Sequence, residues 1–83
     1  MPELPERLTE LVRLLVDQPD EVALAVIPPG RDTRDILLEL SVAPDDLGKV
    51  IGRQGRTARA LRTLLDARSD RDGVRYEFEI LED

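Results

Sequence analysis

Leu47-Gly48-Lys49-Val50-Ile51-Gly52-Arg53-Gln54-Gly55-Arg56 places two glycines three positions apart, with basic or polar residues between and beside them. Without Cβ atoms, Gly52 and Gly55 permit a tight turn and let an extended ligand backbone come close to the main chain. Residues from about 56 to 68 carry Ala58, Leu61, Leu64 and Leu65 at helical spacing, so a helix is predicted to start at this loop. The free N–H groups and positive dipole end of that helix would then face whatever the loop receives, which favours an anion such as phosphate. Lys49, Arg53 and Arg56 add cations at the same place, and Arg59 and Arg62 continue the Arg56 row at intervals of three along one helix face. A glycine pair of this kind also arises by chance as a cap between two helices, and an arginine row is also what a solvated helix face looks like. The two together, starting at one point, favour the binding reading.

The flanking sequence sets the loop in a fold. Before it, Ala43-Pro44-Asp45-Asp46 opens a short helix, with proline and two carboxylates where the helix dipole favours negative charge. The two aspartates are neighbours with no further ligand nearby, so they read as a helix start rather than as a metal or acid–base pair. Ile36, Leu38, Leu40 and Val42 alternate with Leu37, Glu39 and Ser41, predicting a strand over 35–43. Val74, Tyr76, Phe78 and Ile80 alternate with Arg75, Glu77 and Glu79, predicting another over 74–81 with one wet face. That carboxylate-bearing face would repel a polyanion, so Tyr76 and Phe78 are assigned to the core and not to a base-stacking platform. Val22, Leu24 and Val26 mark a third strand over 21–27, joined to the second by the Pro28-Pro29-Gly30-Arg31-Asp32 turn.

At the start, Leu4, Leu8, Leu11, Val12, Leu15 and Val16 make one apolar face of a helix over about 4–17, ended by Gln18-Pro19-Asp20. The order is α-β-β-α-α-β. The expected class is α+β, with three helices packed on one face of a three-stranded sheet. Ser69-Asp70-Arg71-Asp72-Gly73 reads as the turn closing the last helix, and Arg68 and Arg71 as a solubilising helix end.

Composition narrows the chemistry. The 83 residues contain no Cys and no His, which removes disulfides, thiol nucleophiles, imidazole bases and Cys/His zinc sites. Neither GxxxxGK[ST] nor GxGxxG occurs, no cofactor is implied, and an enzyme is not expected. A chain of this length buries only about 60–65% of its unfolded surface, and one domain over 1–83 is predicted. No stretch is apolar enough for a membrane span and the start lacks the pattern of a signal peptide, so a cytoplasmic protein is expected. The net charge is −6, yet residues 49–71 hold seven basic and two acidic side chains and carry +5, leaving −11 on the remaining sixty. Such segregation allows one positive face on an acidic body.

With its strands, its paired helices and its Val50-Ile51-Gly52-Arg53-Gln54-Gly55-Arg56 core, the chain resembles a KH domain of the type II arrangement found in bacterial proteins. Val-Ala-Pro-Asp-Asp-Leu-Gly-Lys-Val-Ile-Gly-Arg-Gln-Gly-Arg at 42–56, followed by Ala-Arg-Ala-Leu-Arg-Thr-Leu-Leu at 58–65, is similar to the small stand-alone KhpA family. The resemblance implies a clamp on about four nucleotides of single-stranded RNA, the loop on the sugar-phosphate backbone and an apolar groove under the bases. It implies RNA-contacting roles for Gly52, Arg53, Gln54, Gly55, Lys49, Arg56 and Arg59, and a place in the groove for Ile51. Leu47 and Ala58 can serve the core, the groove or both. The family is also similar in pairing with KhpB (Jag), a larger KH-containing protein, or with a second copy, and in acting as RNA chaperones in cell elongation, cell shape and envelope homeostasis. Arg53 stands where Lys is more frequent, exchanging a point charge for a planar fork. Thr57 stands where an aliphatic residue is frequent, which would make one groove edge more polar. An Asp at either glycine is expected to disable the loop and spare the fold. The alternative from a different class is a dimerising adaptor with little RNA binding of its own, favoured by the acidic remainder of the surface.

Overall fold

A computed structural model describes residues 4–31 and 33–82. Helix α1 (Leu4–Leu15) is followed by strand β1 (Ala23–Ile27), strand β2 (Asp35–Ser41), helix α2 (Leu47–Ile51), helix α3 (Arg56–Asp72) and strand β3 (Arg75–Ile80). This is the expected α-β-β-α-α-β order. The Pro28–Asp32 turn falls between β1 and β2, and Asp32 itself lies outside the described residues.

Strand β2 is central. It pairs antiparallel with β1, Leu24 opposite Leu40 and Val26 opposite Leu38, and parallel with β3, Leu38 opposite Phe78 and Leu40 opposite Ile80. A parallel neighbour cannot be reached by a tight turn, so the chain crosses over through α2 and α3, and this crossover carries the glycine loop. The period-two pattern then sorts the side chains. Leu38, Leu40 and Phe78 are buried under the helices with Leu8, Val12, Val50, Leu61 and Leu65, and Tyr76 packs against this cluster. Arg75, Glu77 and Glu79 are exposed on the open face, as expected from the alternation.

The structure differs from the sequence reading at four places. Helix α1 stops at Leu15, and Pro19–Glu21 forms a 3-10 turn, so β1 starts only at Ala23. Helix α3 runs through the segment read as a turn and ends at Gly73, which takes a left-handed conformation (φ 71°, ψ 21°). Ser69 explains the extra turn: its hydroxyl donates to the Leu65 carbonyl (2.8 Å) and accepts the Tyr76 N–H (3.0 Å), tying α3 to β3. Asp72 adds to this join by accepting from the Tyr76 hydroxyl (2.7 Å) and from Arg68 Nε (3.1 Å), so Arg68 is more than a solubilising end. Leu64, expected in the core, is 60% exposed because Leu61 and Leu65 take the inward positions of α3.

The fourth difference is Asp46, which is fully buried. Its Oδ1 accepts the Asp17 N–H (3.1 Å) and its Oδ2 the Gln18 N–H (2.9 Å), so the start of α2 is fastened to the segment that follows α1. Lys49 lies 3.6 Å from the same carboxylate and 2.8 Å from Asp17. Burial alone would raise the Asp46 pKa and is the largest single influence, but the two backbone donors and Lys49 together outweigh it and leave the value below the ordinary 3.8.

A carboxylate with a lowered pKa stabilises the fold above its unfolded value, and that contribution fades as the pH falls through the lowered one. Asp46→Ala strands two backbone donors, and should lower the thermal midpoint at neutral pH by about 5 °C or more. Asp46→Asn should weaken the acid dependence of stability below pH 3.8 relative to the parent protein, as thermal unfolding across pH 2–7 would show.

Candidate nucleic-acid interface

The chain leaves α2 at Gly52, whose φ of 80° and ψ of 168° belong to a region that only glycine occupies at low cost. The Gly52 N–H closes α2 on the Gly48 carbonyl (2.8 Å), and the Gly55 N–H returns to the Gly52 carbonyl (3.1 Å). Gln54 (φ 57°, ψ 26°) and Gly55 (φ 73°, ψ 16°) are both left-handed, and α3 starts at Arg56. No side chain caps this start, so its first N–H groups have no side-chain acceptor.

The two glycines differ in what surrounds them. A Cβ on Gly52 would collide with Thr57 Oγ1 and stand 2.7 Å from the Thr57 backbone nitrogen, whereas a Cβ on Gly55 would meet nothing within 4 Å. Gly52 is therefore needed by the fold, contrary to the expectation that both positions spare it. Thr57 packs beneath the loop against Gly52 instead of forming a groove edge.

Lys49 and the arginines separate as sharply. Lys49 is held by Asp17 and Asp46, and its pKa is raised, first by its hydrogen bond to Asp17 and then by the charge of that carboxylate. Arg53, Arg56, Arg59 and Arg62 are exposed, and among the described residues none of them pairs with a carboxylate. Arg56 donates to Gln54 Oε1 (3.3 Å), and the Arg62 guanidinium lies 5.8 Å from the Phe78 ring centre. A line of exposed, unpaired guanidinium groups thus runs from the glycine loop down α3.

Beside this line opens a cleft of about 590 Å³. Ile51, Gly55, Ala58, Arg59 and Arg62 line it from α2, the loop and α3, and Glu79, Ile80 and Glu82 from β3 and the residues after it. Strand β3 borders it with a free edge. The Arg75 and Leu81 N–H groups donate to Arg34 and Leu40, so alternate residues face β2 while Phe78 and Ile80 turn their N–H and C=O groups outward. Of the residues singled out in the sequence, Gly52, Arg53, Gln54, Gly55, Arg56, Arg59 and Ile51 come together around the loop and cleft, and Lys49 is engaged elsewhere. Arg62, Ile80, Glu79 and Glu82 were missed as cleft residues, since only the parallel pairing of β3 brings that strand opposite α3.

Comparison with known proteins agrees with this architecture. The family model described as KhpA/KhpB, KH domain matches residues 5–80. The chain is 45% identical over 78 residues to "RNA-binding protein KhpA" of Chlamydia trachomatis, covering 94% of this chain and 96% of that protein. It is 47% identical over 77 residues to the protein of that name from Borreliella burgdorferi, covering 93% and 90%. The Streptomyces coelicolor protein of that name is 53% identical over 75 residues, covering 89% of each chain. No solved structure matches. The family model spans all three strands and both helices of the glycine loop, and the relatives match it nearly end to end: the chain belongs to the KhpA/KhpB KH-domain family, a family of KH domains and not of enzymes.

Proposed function

We propose that this protein is a cytoplasmic single-stranded RNA-binding protein that holds the sugar-phosphate backbone on Gly52-Arg53-Gln54-Gly55 and the bases in the adjoining cleft. The line of unpaired arginines that begins at the loop carries this reading: four exposed cations without counter-ions on a chain of charge −6 are best matched by a polyanion. The relatives named as RNA-binding proteins support it. Arg53 and Arg56 contact phosphate together with the loop amides, Arg59 follows the strand along α3, and Ile51 lies under the bases. Lys49 contributes least, because it must first leave Asp17 and Asp46. An RNA-chaperone role fits contacts that position a strand without reading its sequence.

A second reading rests on a separate observation. Leu11, Leu14 and Leu64 stand 38%, 83% and 60% exposed beside an apolar cleft between α1 and α3, away from the glycine loop. An unpaired strip of this kind fits a second KH chain, in the first instance another copy of this one, with a KhpB-type protein as the other occupant. A dimer would double the nucleotides held and raise an affinity that one short clamp leaves low. The dimer is therefore compatible with RNA binding.

Gly55→Asp, at an open left-handed position, should stay folded with a thermal midpoint only a few degrees lower and lose about tenfold or more in RNA affinity. Gly52→Asp should lose both stability and binding. RNA affinity unchanged in a folded Gly55→Asp protein would reject the loop mechanism and leave the adaptor reading in front. If about three phosphates are neutralised, the slope of log affinity against log salt should be roughly −2, and Arg53→Ala or Arg56→Ala should each reduce it by about 0.7. Leu14→Lys combined with Leu64→Lys should convert a dimer into a monomer in sedimentation, with the fold unchanged.

A further inference from the structure

The two edges of the sheet are protected unequally. Strand β3 carries three charged side chains, Arg75, Glu77 and Glu79, whereas the five residues of β1, Ala23-Leu24-Ala25-Val26-Ile27, carry none and include no proline. Charges and prolines are what normally keep a sheet edge from pairing with another chain. The ladder also fixes which β1 groups are free. Arg75 and Leu81 donate to Arg34 and Leu40, so Ile36, Leu38 and Leu40 use their N–H and C=O groups on β3, and Leu37, Glu39 and Ser41 use theirs on β1. Their partners Ile27, Ala25 and Ala23 are thereby satisfied, and Leu24 and Val26 turn their N–H and C=O groups away from the sheet. Among the described residues no hydrogen bond from outside the sheet reaches these groups. Val26 is 46% exposed, which leaves this end of the edge uncovered.

Beside the edge, α1 borders a cleft of about 370 Å³, lined by Pro5, Glu6, Thr9, Glu10 and Arg13 of α1 and by Leu24. We infer that the β1 edge is a docking site for an extended segment of another protein, added antiparallel to β1 as a fourth strand with a basic side chain in this cleft. The inference is independent of RNA binding. A peptide backbone supplies donors and acceptors at the spacing that Leu24 and Val26 present, and the residues opposite them would each exchange a pair of hydrogen bonds. Side chains of an added strand alternate between the two faces. The residue opposite Leu24 enters the cleft, where an Arg or Lys stem lies along Leu24 and Pro5 and its charge meets Glu10 and Glu6. The residue opposite Val26 covers an exposed apolar side chain and is best apolar itself. On the open face, small or β-branched residues fit beside Ala23, Ala25 and Ile27. Charge decides among the occupants: residues 1–42 hold nine acidic and four basic side chains, so RNA is repelled here and a second copy would set two acidic edges together. The 3-10 turn Pro19–Glu21 and Pro28 bound the edge and limit the added segment to about five residues.

The test titrates the isotope-labelled full chain with the end-blocked peptide Thr-Val-Thr-Arg-Thr, which sets Val opposite Val26 and Arg opposite Leu24, and follows the backbone amide signals by NMR. The Leu24 and Val26 amides should shift and saturate, and those of Phe78 and Ile80 at the other edge should not. Replacing the peptide Arg by Glu should weaken binding by about fivefold, and Glu10→Lys should do the same to the Arg peptide. Val26→Pro removes an outward N–H and no ladder bond, so it should keep the fold and abolish binding. Glu10 is exposed on α1, so Glu10→Lys decides the matter should Val26→Pro fail to fold. Absence of shifts at Leu24 and Val26, equal binding of the Arg and Glu peptides, or binding unchanged in Glu10→Lys or in a folded Val26→Pro protein overturns the inference. Leu24 and Val26 signals that change on dilution without peptide also overturn it, in favour of a second copy at this edge.

Discussion

The buried carboxylate of Asp46 joins two parts of the chain that are far apart in sequence. By accepting the Asp17 and Gln18 N–H groups it sets the end of α1 against the start of α2, and α2 is the short helix from which the glycine loop leaves. A five-residue helix has too few internal hydrogen bonds to hold itself in place. Its position comes from Val50, which is fully buried in the core, and from this polar join at its other end. The geometry of the loop therefore depends on a contact made outside it.

The same join decides which cations are available. Lys49 is drawn to Asp17 and Asp46, Arg68 to Asp72, and Arg75 to Glu77, so these charges are partly neutralised within the molecule. The four arginines from Arg53 to Arg62 have no such partners among the described residues. Exposed ion pairs add little to stability, but they do determine where an external anion meets unopposed positive potential. A protein of net charge −6 thus presents a cationic line from the loop along α3, and the open face of its sheet, with Glu39, Glu77 and Glu79, repels the same anion elsewhere.

Within the loop, two glycines with one spacing serve different ends. Gly52 stands where the backbone must turn in a region closed to other residues, with Thr57 filling the space that a side chain would need. Gly55 is left-handed but open to solvent, so its missing side chain matters for what approaches from outside. One glycine holds the loop and the other exposes it. A substitution at Gly52 consequently confounds folding with binding, and Gly55 is the position that separates them.

By itself the sequence determined the layer structure and the place of the loop. Strict alternation in 74–81 and 35–43, the helical spacing of Leu8, Val12, Leu61 and Leu65, and the Gly52–Gly55 spacing are local patterns, and local patterns survive in one dimension. The KH resemblance added the family, which the comparisons establish. What only the tertiary structure decided involves partners distant in the chain. Asp46 looked like an ordinary helix start because its acceptors' partners lie 28 and 29 residues away. Lys49 read as a free cation beside the loop because nothing near it in sequence shows that Asp17 meets it across the fold. Ser69 and Asp72 read as turn residues because nothing near them in sequence reveals that Tyr76 returns against the helix end. The cleft beside the loop was hidden for the same reason: residues of β3 come to line it with Arg59 and Arg62 only because β3 lies parallel to β2 at the edge of the sheet, and strand order is a property of the packed chain.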